Sequence, residues 1–259
     1  MLDSDNLKVC RTDVHLPNWD IEADGVTVGL LSDFHADNRR AVERTCLAVK
    51  VMAELQPDIV FLAGDYISTR LSHRFLRPTV ECFKPLKGVP RGVYAIMGNH
   101  DYWSGITGDA ASLLRVNGVV PLLNESRAFP GLPNTYIVGL DDYLSKKMDL
   151  AKALTGVPKN SRRIALIHEP DAADFIGDEF DLQLSGHTHG GQVRLPGLPI
   201  IYAPSAGRKY PEGLMKAKRH QVYTTRGIGM GGVQIRLFCP PEITFLTLRT
   251  GEGPINDPA

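Results

Sequence analysis

Gly92-Val93-Tyr94-Ala95-Ile96-Met97-Gly98-Asn99-His100-Asp101 decides how this chain is read. An unbroken apolar run of this length, bounded by glycines, predicts a buried strand. Gly98 lets the backbone turn sharply where the strand stops. The next three residues carry an amide, an imidazole and a carboxylate, each able to serve a metal ion or a proton. Open α/β sheets hold their ligands just beyond the carboxyl ends of their strands, so the stretch predicts a fold class and a place for a site together.

The same build occurs four more times. Residues 26–31 form an apolar run ending in Ser32-Asp33-Phe34-His35, and Asp33 and His35, two apart, share a face on an extended backbone. Residues 59–63 end in Gly64-Asp65, and residues 163–167 end in His168. Residues 181–185 end in Gly186-His187-Thr188-His189-Gly190-Gly191. Taken singly, each carboxylate reads as a cap and each histidine as a core or surface residue. Five of the eight histidines at strand ends are not explained that way.

Helical spacing fills the intervals. Residues 38–55 place Val42, Cys46, Val49 and Met52 on one face, residues 71–86 predict a second helix, and residues 109–116 a third with Asp109 as its N-cap. A short helix is expected over 149–154 and another near Asp171, after Pro170. Three strand–helix repeats in the first hundred residues predict βαβ units around one edge. Residues 7–16 read as an edge strand or hairpin, and from Gln192 onward the chain reads as β-rich, with strands over 193–195, 200–202, 222–225, 234–238 and 243–248. One domain over 1–259 is expected, with 1–25 as an edge segment and 250–259 as a frayed tail.

Composition narrows the classes. The chain has 259 residues, 43% hydrophobic and 22% charged, as an ordinary globular protein has. Formal net charge is zero, so no bulk electrostatic case exists for nucleic acid. Cys10, Cys46, Cys82 and Cys239 form no CxxC and read as scattered thiols of a reducing compartment. No apolar run is long enough to span a bilayer and no secretory pattern opens the chain, which predicts a soluble cytoplasmic protein as given, apart from any removed anchor. The basic stretch within 208–219, with Arg208, Lys209, Lys216, Lys218 and Arg219, reads first as a solvated face, with substrate or peripheral membrane contact the second reading, and Trp19 reads first as a core residue, with membrane contact the second. Tyr102 and Trp103 read equally as groove-lining or as packing residues, and Arg194, Arg208 and Lys209 as groups that could meet a second phosphate.

The strand-end groups combine imidazoles, carboxylates and one amide with no thiolate, a set that suits Mn, Fe, Zn or Co. They are too many for one tetrahedral zinc. Two ions sharing a carboxylate fit the count, and such a pair activates water and clamps both oxygens of a phosphoester displacement.

In the order Asp33-x-His35, Gly64-Asp65, Gly98-Asn99-His100-Asp101, His168, Gly186-His187-Thr188-His189, the chain resembles the calcineurin-like metallophosphoesterase superfamily. Gly190-Gly191-Gln192, Arg226-Gly227-Ile228-Gly229 and Phe238-Cys239-Pro240-Pro241-Glu242-Ile243 resemble a bacterial branch of membrane-anchored or exported phosphodiesterases that includes UDP-2,3-diacylglucosamine hydrolases. The resemblance implies an α/β fold, a four-layer α-β-β-α sandwich of two mixed sheets flanked by helices, with a dinuclear metal site at strand C-terminal ends. It implies that Asp33, His35 and His189 hold one divalent ion and Asn99, His168 and His187 the other, with Asp65 bridging. It makes His100 the acid that protonates the leaving oxygen, and Asp101 the group that orients it. The implied reaction is hydrolysis of a phosphodiester or pyrophosphate, small or lipid-linked, by a bridging hydroxide, with manganese the first expectation. Two alternatives stand beside it: a phosphomonoesterase or protein phosphatase on the same site, and a non-catalytic scaffold.

Overall fold

The computed structural model describes residues 6–17, 19–198, 200 and 203–254. In chain order the strands are β1 (Lys8–Leu16), β2 (Thr27–Leu31), β3 (Ile59–Leu62), β4 (Val93–Ala95), β5 (Val120–Pro121) and β6 (Glu125–Ala128). They continue with β7 (Thr135–Gly139), β8 (Arg162–Leu166), β9 (Leu182–Ser185), β10 (Gly213–Lys216), β11 (Gln221–Thr224) and β12 (Glu242–Thr250). The α-helices are α1 (Arg39–Glu54), α2 (Leu76–Glu81), α3 (Asn99–Trp103), α4 (Thr107–Val116) and α5 (Leu150–Ala153).

Two six-stranded mixed sheets face each other. The first runs β1-β12-β2-β3-β4-β5, with β2 to β5 parallel and β12 inserted antiparallel to β2. The second runs β10-β11-β9-β8-β7-β6, with β11, β9, β8 and β7 parallel. Alternation along each strand decides the layers. Ile59 and Phe61 join Leu30, Ile137, Leu166 and Leu184 between the sheets. Val60 and Leu62 point the other way, under Met52 of α1, Val80 of α2 and Leu114 of α4. Val138, Ala165 and Ile167 do the same beneath Ala153 and Ile176. Each such aliphatic, taken fully out of water, is worth roughly 1.5–3 kcal/mol. The two sheets flanked by helices are those expected, although the outer layer on the second sheet consists of α5 and short 3-10 turns.

Several elements differ from their sequence reading. The helix expected over 71–86 is a 3-10 turn (Arg70–Phe75), then α2, then a second 3-10 turn (Lys84–Gly88), because Pro85 cannot continue an α-helix. Asp109 is not an N-cap; it lies in the first turn of α4 and meets His73 Nε2 at 3.0 Å. The N-cap of α1 is Asn38, whose side chain accepts from Ala41 N–H at 2.9 Å. Residues 234–238 form no strand, because the Arg236 side chain turns inward and takes up loop carbonyls; only an isolated bridge joins Val193 to Leu237. The segment after Pro170 is a 3-10 turn. Ile201, Tyr202 and residues 255–259 lie outside the described residues. β6 and β10 were not expected: one is polar throughout and the other begins at a glycine. Trp19 is buried in the core between the sheets, as its first reading expected.

The cysteine reading is also corrected. Cys46 and Cys82 form a disulfide, leaving Cys10 and Cys239 free. α1 and α2 pack side by side on one sheet face and bring the two Cα atoms to 4.7 Å, a proximity that a separation of 36 residues in sequence does not reveal. Closing a loop of that length should stabilise the fold by about 2–4 kcal/mol. Cys46→Ser should therefore lower the urea midpoint and raise the m-value, because the unbridged denatured chain is more expanded. Denatured, unreduced protein should titrate as two thiols, and four would show the bridge absent.

Candidate active site

Five loops leave the carboxyl ends of β2, β3, β4, β8 and β9 and meet above the sheet edges. The backbone must turn within one or two residues of each strand end, and it does so through unusual conformations. Asp33, His35, Asp65, His187 and His189 have φ of 53°, 41°, 57°, 72° and 52°. A left-handed residue with a Cβ costs roughly 1–2 kcal/mol, and such strain persists only where surrounding contacts over-determine it. Here Asp33 N–H donates to the Gly64 carbonyl at 3.0 Å and His35 N–H to the Asp65 carbonyl at 3.1 Å. Gly98 has to be glycine, since a Cβ there would stand 2.3 Å from Asp65 Oδ1 and 2.8 Å from His168 Cε1.

The side chains converge. His189 Nε2 lies 3.1 Å from His35 Nε2 and 3.6 Å from Asp33 Oδ1. Asp65 Oδ2 stands between two imidazoles, 3.4 Å from His35 Nε2 and 3.1 Å from His168 Nε2. His168 Nε2 is also 3.8 Å from Asp33 Oδ1. His187 joins from the side, its Nδ1 3.0 Å from Asn99 Oδ1 and its ring 5.1 Å from that of His168. His100 stands at the edge, edge-on to His35 with ring centroids 4.9 Å apart. All eight of these groups except His100 are buried.

Each of four imidazoles has one nitrogen fixed by an oxygen outside the cluster. His168 Nδ1–H donates to the Ala63 carbonyl at 2.6 Å, His187 Nε2–H to Ser205 at 2.8 Å, and His100 Nδ1–H to Ser68 at 2.8 Å. His35 Nδ1 meets Ser68 Oγ at 2.7 Å. The other nitrogens of His35, His168 and His187 are thereby left for the cluster, as liganding histidines require. Ser68 and the carbonyls of Ala63 and Ser205 are the functional groups that sequence reading missed; a lone serine or a backbone oxygen carries no signal.

Asp101 does not touch the His100 ring. Its Oδ2 accepts from the N–H groups of Asp65 and Gly98, and its Oδ1 from Tyr66, each at 2.9 Å. The expected orienter of His100 is instead the Ser68 carbonyl, because Asp101 faces back under its own turn. Lys209 is tied to Asp174 at 2.8 Å and Arg194 to Glu212, so neither projects freely toward a substrate. Tyr102 packs with its hydroxyl on Asp141, 2.5 Å away, whereas Trp103 is exposed beside His100.

Electrostatics fit divalent cations. Burial pushes Asp33 up to about 6 and Asp101, with help from the Asp65 charge, up to about 8. Burial also opposes ionisation of Asp65, but the imidazoles of His168, His35 and His100 outweigh it and hold the carboxyl well below its usual range. Burial lowers His35 and His187 to about 4 and holds His189 well below its ordinary value, keeping their lone pairs free for a metal. His168 is the exception: burial opposes its proton, but Asp65 and Asp33 hold it well above the ordinary value. Its buried Nε2 nevertheless makes no well-formed hydrogen bond. His187 Nδ1 and Asn99 Oδ1, in this amide orientation, are two acceptors facing each other. Both arrangements are satisfied by cations bound between these groups.

The comparisons agree with this geometry. Residues 26–191 match the family model described as calcineurin-like phosphoesterase. Over 230 residues the chain is 31% identical to an uncharacterized metallophosphoesterase, YkuE, of Bacillus subtilis, covering 88% of this chain and 80% of that protein. It is 31% identical over 229 residues to the phosphodiesterase YaeI of Escherichia coli, covering 84% and 80%. Its fold is similar to that of phosphopantetheinyl hydrolase from Mycobacterium tuberculosis, with TM-score 0.50, 11% identity, and coverage of 78% and 89%. A strand-end site of imidazoles and carboxylates, a family match across every one of its ligand-type residues from Asp33 to His189, and two relatives of this closeness place the chain in the calcineurin-like phosphoesterase family.

Proposed function

We propose that this metallophosphoesterase hydrolyses a phosphodiester or pyrophosphate bond at a dinuclear centre. The observation that carries the reading is the position of Asp65 Oδ2, a single buried carboxylate oxygen between His35 Nε2 on one side and His168 Nε2 on the other. Asp33, His35 and His189 would hold one ion, Asn99, His168 and His187 the second, and Asp65 both. Two divalent ions bound there would supply Lewis-acid charge to the phosphoryl oxygens and an activated water. Manganese is the ion we expect first, with Fe, Zn and Co suited to the same donors. The E. coli relative named a phosphodiesterase supports the diester over the monoester.

The chain's own residues divide the remaining work. The second oxygen of Asp65, Oδ1, accepts from His100 N–H at 2.9 Å, so Oδ2 alone is left for the ions. His100 keeps Nδ1 on the Ser68 carbonyl, which leaves Nε2 as the nitrogen that would give its proton to the departing oxygen. Asp101 holds the turn that places Asn99 and His100 rather than touching the His100 ring.

Metal-replete protein should carry close to two ions per chain by elemental analysis and cleave bis-p-nitrophenyl phosphate faster than p-nitrophenyl phosphate. Asp65→Asn should lower occupancy of both ions together; loss of one alone would remove the bridging role.

His100→Ala should retain the metal and lose roughly 10²–10⁴-fold in kcat on alkyl esters, with a smaller loss on p-nitrophenyl esters, whose leaving group departs without a proton. An equal loss on both would make His100 a stabiliser of phosphoryl charge, and loss of metal would make it a ligand.

A further inference from the structure

The chain has two tryptophans, and they have opposite settings. Trp19 is buried between the sheets, whereas Trp103 is 63% exposed. An indole left in water keeps in reserve the free energy that a group covering it would release. Trp103 stands where such a group has reason to come.

Its place follows from α3. His100 and Trp103 are three apart on this five-residue helix, and side chains at that spacing are neighbours. The two ring centroids are 5.0 Å apart, with the planes at 62°. His100 also meets the His35 ring, at 4.9 Å and 82°. Aromatic contacts thus lead from His35, buried in the donor cluster, through half-buried His100 to Trp103 in solvent. The helix that carries the indole is held at both ends. Asp101 ties its start to the N–H groups of Gly98, Asp65 and Tyr66. Near its end the Tyr102 hydroxyl donates to Asp141 at 2.5 Å, Ser104 N–H donates to the His100 carbonyl at 2.9 Å, and Ile106 is buried. A ring on a support fixed in advance loses little freedom when a ligand covers it.

His100 decides what that ligand is. Its Nδ1 is committed to the Ser68 carbonyl, so a departing oxygen protonated by Nε2 lies within hydrogen-bond reach of this ring. The group carried by that oxygen needs room. Toward the cluster it finds His35, Asp65 and Asn99, all buried. The way to solvent leads past His100 and its exposed neighbour. A flat indole takes an aromatic ring in offset-stacked or edge-to-face contact and gains more from it than from an aliphatic group of equal area.

We propose that Trp103 is the platform for the leaving group, and that the site favours phosphoesters whose departing oxygen carries an aromatic ring. The proposal rests on the phosphoesterase reading above and adds the chemistry of the group expelled.

Two diesters separate the leaving group from the group retained. Methyl p-nitrophenyl phosphate and bis-p-nitrophenyl phosphate both expel p-nitrophenolate, and only the second retains an aromatic ring. Trp103→Ala should lower kcat/KM on both by about tenfold, chiefly through KM, and Trp103→Phe should keep most of the wild-type value. A loss on the bis ester alone would put the retained group on Trp103 and overturn the proposal, as would no loss on either. A loss confined to kcat at unchanged KM also overturns it, since Trp103 would then only support the His100 ring.

A second readout needs no turnover. Trp103 is the exposed one of the two tryptophans, so phenylphosphonate added to metal-replete protein should shift the tryptophan emission saturably to shorter wavelength. Methylphosphonate should not, and Trp103→Phe should abolish the shift. Absence of the shift in the wild-type chain sinks the platform. If the shift appears but the metal-replete chain cleaves neither diester, the phosphoesterase reading has failed and the contact between Trp103 and an aromatic phosphonate stands.

Discussion

Asp101 holds the site together although it faces away from the chemistry. Its two oxygens take three backbone N–H groups, from Gly98, Asp65 and Tyr66, and so lock the end of the β3 loop against the start of α3. Asp65 answers by accepting His100 N–H on Oδ1. The two carboxylates thus fix each other's loops, and one oxygen of Asp65 is left pointing at imidazoles from both sheets. Burying two carboxylates so close together is costly, as the upward push on Asp101 shows. The backbone donors pull the other way, since hydrogen bonds to the charged form favour it.

Site formation and sheet packing are one event. The carboxylates and the amide come from the first sheet; His168, His187 and His189 come from the second. His168 crosses to the Ala63 carbonyl, and His187 N–H donates to the Asp33 carboxylate at 3.0 Å, across 105 and 154 residues of sequence. The apolar layer between the sheets, from Leu30 and Phe61 to Leu166 and Leu184, therefore does more than stabilise the fold. It supplies the free energy that keeps five left-handed residues and a buried charged cluster in place. A preorganised cluster of this kind gives cations a finished set of donors, so little ordering remains to be done when they bind.

What was legible in the sequence follows from what is local. Strand ends at Asp33, Asp65, Asn99, His168 and His187 could be read because an apolar run followed by a polar ligand, through a glycine at Asp65, Asn99 and His187, is a contiguous pattern. The helix face of α1 was read only in part: Val49 and Met52 are buried as expected, but Ala41, Thr45 and Ala48 fill the rest, and Cys46 turns outward to Cys82. Ser68, the Ala63 carbonyl and the position of Asp101 could not be read. Each depends on which backbone atom a turn brings nearby, and turn geometry at left-handed residues with side chains is set by tertiary contacts. The strand expected over 234–238 alternates well in sequence, yet it fails because Arg236 is worth more to the loop inside than to a sheet outside.

That arginine explains the irregular mouth. After β11 the chain must return from the second sheet to the first, where β12 is inserted between β1 and β2, and it does so across the site. Ile228 N–H donates to the Ser32 carbonyl at 2.9 Å and Gly229 N–H to the Asp33 carbonyl at 2.6 Å, so this crossover also braces the β2 loop that carries two of the ligand residues. A crossing segment cannot pair with a sheet edge, and its carbonyls would be left without partners. The Arg236 guanidinium meets those of Arg226, Gly227 and Gly229. Burial lowers its pKa to about 10, still high enough for the charge to persist at neutral pH. With its polar groups gathered inward around one cation, the segment is free to turn Val233, Ile235 and Phe238 outward. The same buried charge that completes the crossover thus gives the site its apolar rim.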